Sequence, residues 1–80
     1  MKITVLAFGI ASEICGAKSF SLEVEEQITA MDLKNVLVEK YPRLGDIIHF
    51  DLAINRGYRE QDFIISGNDE IAIIPPVSGG

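Results

Sequence analysis

The sequence predicts an α+β fold, a small mixed β-sheet packed on one main helix. Two observations predict it. Strand-like apolar segments recur along the chain, yet only Thr29 to Tyr41 carries the start signal, apolar stripe and stop signal of a full helix. At 80 residues the chain is one domain. One helix cannot cover both faces of a parallel array this small, so a mixed sheet wrapping the helix is the economical solution.

Residues Ile3 to Phe8 form a short, nearly continuous run rich in apolar and β-branched residues, as expected of a central strand covered on both faces. Ala11 to Gly16 reads as one or two helical turns closed by the glycine. From Lys18 to Glu26, Phe20, Leu22 and Val24 alternate with Ser19, Ser21, Glu23 and Glu25, the pattern of a half-buried strand with a wet side. It is expected to form a hairpin with the first strand. Thr29 and Asp32 fit a capping box. Ala30, Leu33, Val36, Leu37 and Tyr41 then make one helical stripe, and Pro42 stops it.

Residues Arg43 to Asp51 read as a connector broken at Gly45. Leu52 to Asn55 is a candidate strand, Arg56-Gly57 a turn and Phe63 to Ile65 a short apolar piece. Ser66 to Asp69 is a strong turn signal, and Glu70 to Ile74 is the last strand, ended by Pro75-Pro76, neither of which can donate to a ladder. The order strand, strand, helix, strand, short strand, strand is that of the β-grasp, or ubiquitin-like, arrangement, whose last strand lies beside the first at the centre of the sheet. Residues 1–76 are assigned to this domain and residues 77–80 to a flexible C-terminal tail.

Composition narrows the partners. The net charge is −5, which phosphate backbones repel, so nucleic acid is not expected and a basic protein surface is the better match. No apolar run is long enough to span a bilayer, and the N-terminal run lacks a cleavage site of the usual form. Cys15 is the single cysteine, so no intrachain disulfide, zinc cluster or four-cysteine iron–sulfur site can form, which fits a reducing cytoplasm. No metal or permanently bound cofactor is expected.

The chemistry concentrates in Pro75-Pro76-Val77-Ser78-Gly79-Gly80. Two prolines favour extended backbone on leaving the sheet, and the next four residues reach about 13–14 Å at roughly 3.3–3.6 Å each. A free α-carboxylate is an anion at neutral pH and a poor electrophile. Converted to an acyl-adenylate, its carbonyl becomes open to attack by sulfur or by an amine. Glycine leaves no Cβ beside that carbonyl and fits a tight channel. An inert tail also ends in glycines, but here strand, double proline and glycine pair follow one another without a spacer. The expected working atom is the carboxyl carbon of Gly80, with Gly79 supplying clearance.

The segment Asp69 to Gly80 resembles the end of the molybdopterin synthase small-subunit family, ubiquitin-like sulfur carriers with a Gly-Asp-Glu-Val-like turn and strand followed by Pro-Pro-Val-Ser/Thr-Gly-Gly. Asn68, between Gly67 and Asp69, is a small departure. The start, Ile3 to Phe8 followed by Ser12-Glu13-Ile14 and Gly16, is also similar, as is Asn55 before a turn. The resemblance implies that an adenylating enzyme related to ubiquitin-activating enzymes uses ATP to adenylate Gly80, and that a sulfur donor converts it to a thiocarboxylate. It further implies that the large synthase subunit, within a heterotetramer, receives the tail and carries the catalytic groups. There the sulfur passes to cyclic pyranopterin monophosphate, building the dithiolene of the molybdenum cofactor. By position, Phe8, Tyr58 and Ile74 match the family's apolar docking surface near the tail, with plain core packing as the competing role. Pro75, Pro76, Val77 and Ser78 are the expected partner-binding approach.

Other groups carry less. Cys15 has no strong base or cation nearby and reads as an inert thiol. His49, with Asp46 and Asp51 nearby, would need at least three ligands in the right geometry to hold a metal and reads as a solvated loop histidine. Glu25-Glu26 and Asp69-Glu70 read as solvated charges, and Arg56 and Arg59 could face acidic groups of a partner. No Gly-rich phosphate loop or Ser/His/Asp order is present. The rival functions are a thiamin-type or other sulfur carrier, a ubiquitin-like modifier joined through Gly80 to lysine, and a plain binding module with an inert tail.

Overall fold

The computed structural model describes residues 1–46 and 50–75. Eight elements follow one another: β1 (Lys2–Ala7), α1 (Ile10–Cys15), β2 (Ser19–Glu23), α2 (Ala30–Lys40), a 3-10 helix (Pro42–Asp46), β3 (Asp51–Ile54), β4 (Gly57–Tyr58) and β5 (Glu70–Ile74). The sheet order is β2-β1-β5-β3-β4. β1 and β5 run parallel at the centre, with Leu6 opposite Ala72, and the other pairs are antiparallel. This is the expected β-grasp.

α2 forms where its caps predict. Thr29 is in extended conformation and its Oγ1 accepts from the Asp32 N–H at 3.1 Å. Among the described residues the Asp32 carboxylate makes no return bond, as its side chain is one methylene shorter than the glutamate of a full capping box. Leu33 and Leu37 are fully buried, and Val36 and Tyr41 flank them half-buried. These residues pack on Ile3 and Val5 of β1, Leu22 of β2, Ile54 of β3, and Ile71 and Ile73 of β5. No polar or charged residue is buried among the described residues, so the domain is held by apolar burial, about 1.5–3 kcal/mol for each large side chain.

Several expectations are corrected. β1 is central but not covered on both faces: Ile3, Val5 and Ala7 are buried, Thr4 is exposed and Leu6 half-buried. One helix covers one face, and Thr4 and Leu6 lie on the face left open. The connector contains a 3-10 helix whose Leu44 is fully buried. The short strand is Gly57–Tyr58, whereas Phe63–Ile65 contributes a single bridge, Thr29 to Ile64. The hairpin turn is Asn55-Arg56, not Arg56-Gly57. Ile54 pairs with Gly57, leaving a two-residue loop with φ +55 and +67, the left-handed pair that matches strand twist.

Candidate functional site

The site is built on the face of the sheet that α2 leaves open. Side chains alternate along a strand, so Ile71 and Ile73 of β5 enter the core while Glu70, Ala72 and Ile74 face outward. Ala72 lies between Leu6 of β1 and Ala53 of β3, and Ala53 lies opposite Tyr58 of β4. Small side chains thus floor the middle of the face. Phe8, immediately after β1, and Tyr58 stand at its two sides, 51% and 68% exposed. Together with Ile74 and Arg56 they line one shallow concavity of about 390 Å³. The structure therefore brings Phe8, Tyr58 and Ile74, far apart in sequence, onto one surface. Core packing is ruled out for Phe8 and Tyr58, and Ile74 is half-buried.

The exit of the chain is positioned by Gly9. Its φ of +56 with ψ of −134 is open to glycine, and a Cβ there would lie 3.4 Å from Cγ of Pro75. Pro75 rests on this gap beside Phe8, at the open end of β5. Pro76, Val77, Ser78, Gly79 and Gly80, with the proposed activated carboxylate, lie outside the described residues, as does His49.

A polar clamp holds the other end of β5. Asn55 Nδ2 donates to Asp69 Oδ1 at 2.9 Å, and Asn55 Oδ1 accepts from the Glu70 N–H at 3.0 Å. The Asn55 N–H donates to the Glu70 carbonyl at 2.8 Å, and the Ser66 N–H donates to Asp69 Oδ2 at 2.8 Å. These bonds tie the β3–β4 turn to the start of β5. The Ser66 N–H, then the Asn55 amide, hold the Asp69 carboxyl below its ordinary range. Asp69 is thus an anchor and not the solvated charge expected of it, whereas Glu25, Glu26 and Glu70 are exposed. In the turn, asparagine tolerates the left-handed conformation. Arg56, with a full side chain at φ +67, sits in a conformation that costs about 1–2 kcal/mol.

Cys15 is half-buried and burial raises its thiol pKa, which removes thiolate character. Among the described residues no cluster of His, Cys, Asp and Glu could hold a metal, and no helix is long and apolar enough to cross a membrane. Sequence reading missed the alanine floor and the Asn55–Asp69 clamp. The signal for the floor was present: Ala72 stands at the outward position of an otherwise large-aliphatic strand.

A profile of the ThiS family matches residues 5–80. The chain belongs to the ThiS family. The molybdopterin synthase sulfur carrier subunit of Dictyostelium discoideum is 39% identical to this ThiS-family chain over 80 residues, covering 95% of this chain and 93% of that protein. The resemblance to molybdopterin synthase small subunits therefore holds across nearly the whole chain. In fold, this ThiS-family chain is similar to a Pyrococcus furiosus protein assigned as molybdopterin converting factor subunit 1, with TM-score 0.87, 19% identity and coverage of 96% and 99%. It is similar to small archaeal modifier protein 1 of Methanosarcina acetivorans, with TM-score 0.77, 26% identity and coverage of 99% and 96%. A third neighbour comes from the complex of subunits 1 and 2 of molybdopterin-converting factor from Helicobacter pylori, with TM-score 0.68, 23% identity and full coverage of both chains.

Proposed function

We propose that this chain is the sulfur-carrier subunit of a molybdopterin synthase, working through a thiocarboxylate on Gly80. The observation that carries the reading is the near full-length match to a sulfur carrier subunit of that name, in a chain ending Pro-Pro-Val-Ser-Gly-Gly. The docking face beside the exit at Pro75 supports it. Residues 1–76 serve as the folded body and residues 77–80 as the tail that enters a partner's active site.

The chemistry balances as follows. A Gly80 carboxylate oxygen attacks the α-phosphorus of ATP, and pyrophosphate leaves. A donor at the hydrosulfide level attacks the acyl carbon, AMP leaves, and the thiocarboxylate remains. An adenylating enzyme related to ubiquitin-activating enzymes supplies the first step. The large synthase subunit then binds the open face through Phe8, Tyr58 and Ile74, with Pro75, Pro76, Val77 and Ser78 guiding the tip. It supplies the catalytic groups that move sulfur to cyclic pyranopterin monophosphate. The Helicobacter pylori complex, in which a similar fold is paired with a subunit 2, supports a large-subunit partner. A heterotetramer in the cytoplasm is the expected setting, with no nucleic acid and no resident cofactor.

A second reading is favoured by the likeness to an archaeal modifier protein: the same adenylate, attacked by a lysine amine, gives an isopeptide. Intact mass spectrometry of the protein isolated from its source distinguishes the two. Exchange of one terminal oxygen for sulfur is the expected result, whereas lysine-linked adducts ending in Gly80 would indicate modification. If ATP, the cognate activating enzyme and a sulfur source leave Gly80 unchanged, carriage is refuted.

A further inference from the structure

We propose that Arg56 is a specificity-determining contact of the open sheet face, placed to receive a side-chain carboxylate of the large subunit at the edge of the apolar concavity. The inference rests on the docking reading above and adds the charge chemistry that the reading lacks.

Three observations converge on this residue. First, Arg56 lines the concavity together with Phe8, Tyr58 and Ile74. It therefore borders the same concavity as the apolar anchors, from the hairpin that joins β3 to β4. Second, among the described residues it makes no ion pair, side-chain hydrogen bond or aromatic contact. Among the described residues the one ion pair joins the N-terminus to Glu23, and the arginine stacked on a ring is Arg59 over Phe63. Even Glu70, lining the same concavity, is not paired with it. Third, its backbone is left-handed at φ +67 in a two-residue hairpin loop. Glycine is the residue that such a turn prefers at this place, and the next residue, Gly57, is already in β4. A long cationic side chain is kept where the fold would be better served without one. Disfavoured backbone at an exposed, unsatisfied group marks a residue whose role lies outside its own domain.

The partner chemistry follows from the guanidinium. It is always charged, and its fork matches a carboxylate in bidentate geometry. Closure of the apolar anchors around it removes water and strengthens the pair. In a chain of net charge −5, a positive group within the docking face also opposes the sign of the rest of the molecule. It therefore selects orientation as well as partner.

The test is binding of the uncharged protein to its cognate molybdopterin synthase large subunit by calorimetry, together with thermal unfolding of each variant. Arg56→Gly is expected to raise the thermal midpoint by a few °C, because the left-handed strain is relieved. It is expected to weaken binding about tenfold or more. Arg56→Ala should lose the same affinity without the gain in midpoint, and Arg56→Lys should fall between wild type and alanine. The wild-type Kd should also weaken more steeply with salt than that of Arg56→Gly. Wild-type affinity in both the glycine and alanine variants at low salt would overturn the proposal. So would a lowered midpoint in Arg56→Gly, which would make the side chain structural. If the wild-type protein does not bind the large subunit at all, the docking reading itself fails, a result distinct from either.

Discussion

Replacing Asn55 by alanine tests what fixes the hairpin beside the open face of the sheet. The substitution removes the 2.9 Å bond to Asp69 and the 3.0 Å bond from the Glu70 N–H. Both are exposed, so each contributes at the low end of the usual range, about 0.5–1 kcal/mol. It also puts a side chain that gains nothing from left-handed backbone at φ +55, costing about 1 kcal/mol relative to asparagine. The sum is about 2–3 kcal/mol, or a fall in thermal midpoint of about 10–20 °C for a domain this small. Urea unfolding of wild type, Asn55→Ala and Asn55→Gly separates the contributions, since glycine loses the bonds and keeps the backbone. A loss below about 1 kcal/mol in Asn55→Ala would refute the clamp. Loss of the same stability in both variants would refute the backbone contribution. The clamp also predicts a pH dependence. Asp69 is held below its ordinary value when folded, so the unfolded chain binds more protons in that window. Its contribution is full above the ordinary aspartate pKa of about 3.9 and is lost as the pH falls through the lowered folded value. In Asn55→Ala, Asp69 returns toward its ordinary pKa. The stability difference between variant and wild type should therefore narrow in acid.

Other outcomes follow from the same geometry. Gly9→Ala should destabilise by about 1–3 kcal/mol through its positive φ. Its new methyl lies at an ordinary 3.4 Å contact from Pro75, so the cost comes from the backbone and not from a clash. A wild-type thermal midpoint would contradict this. Tyr58→Ala, at a side chain 68% exposed, should change stability by less than about 1 kcal/mol, while Kd for the large subunit rises at least about 30-fold. Leu37→Ala, in the buried stripe of α2, should cost about 2–5 kcal/mol, read as a lower urea midpoint with an unchanged slope. Deleting Gly80, or adding one residue after it, should abolish charging in an ATP-dependent mass assay and leave the unfolding curve unchanged. Loss of folding in those variants would make the tail structural.

Much of the fold was legible because it is local. The Thr29 cap, the stripe through Leu33 and Leu37, and the Pro42 stop are set within a few residues of one another. So are the alternation in β2 and the turn before β5. The Pro-Pro-Val-Ser-Gly-Gly end, and with it the candidate reacting carbon at Gly80, is a property of the chain itself. What local pattern could not decide was which face of each apolar strand would be covered. β1 reads as doubly buried, but burial depends on how many layers pack on the sheet, and a single helix supplies only one. The open face follows from that count. Register then sets Leu6, Ala72, Ala53 and Tyr58 in one row across four strands. Contacts between residues separated by half the chain exist only once the strands pair. For the same reason the tertiary structure alone revealed that Asp69 anchors a turn and that Arg56, without an ion-pair partner among the described residues, lines one concavity with Phe8, Tyr58 and Ile74. The sequence determined the helix, the strands and the chemistry of the tip; the pairing of the strands decided the surface that presents it.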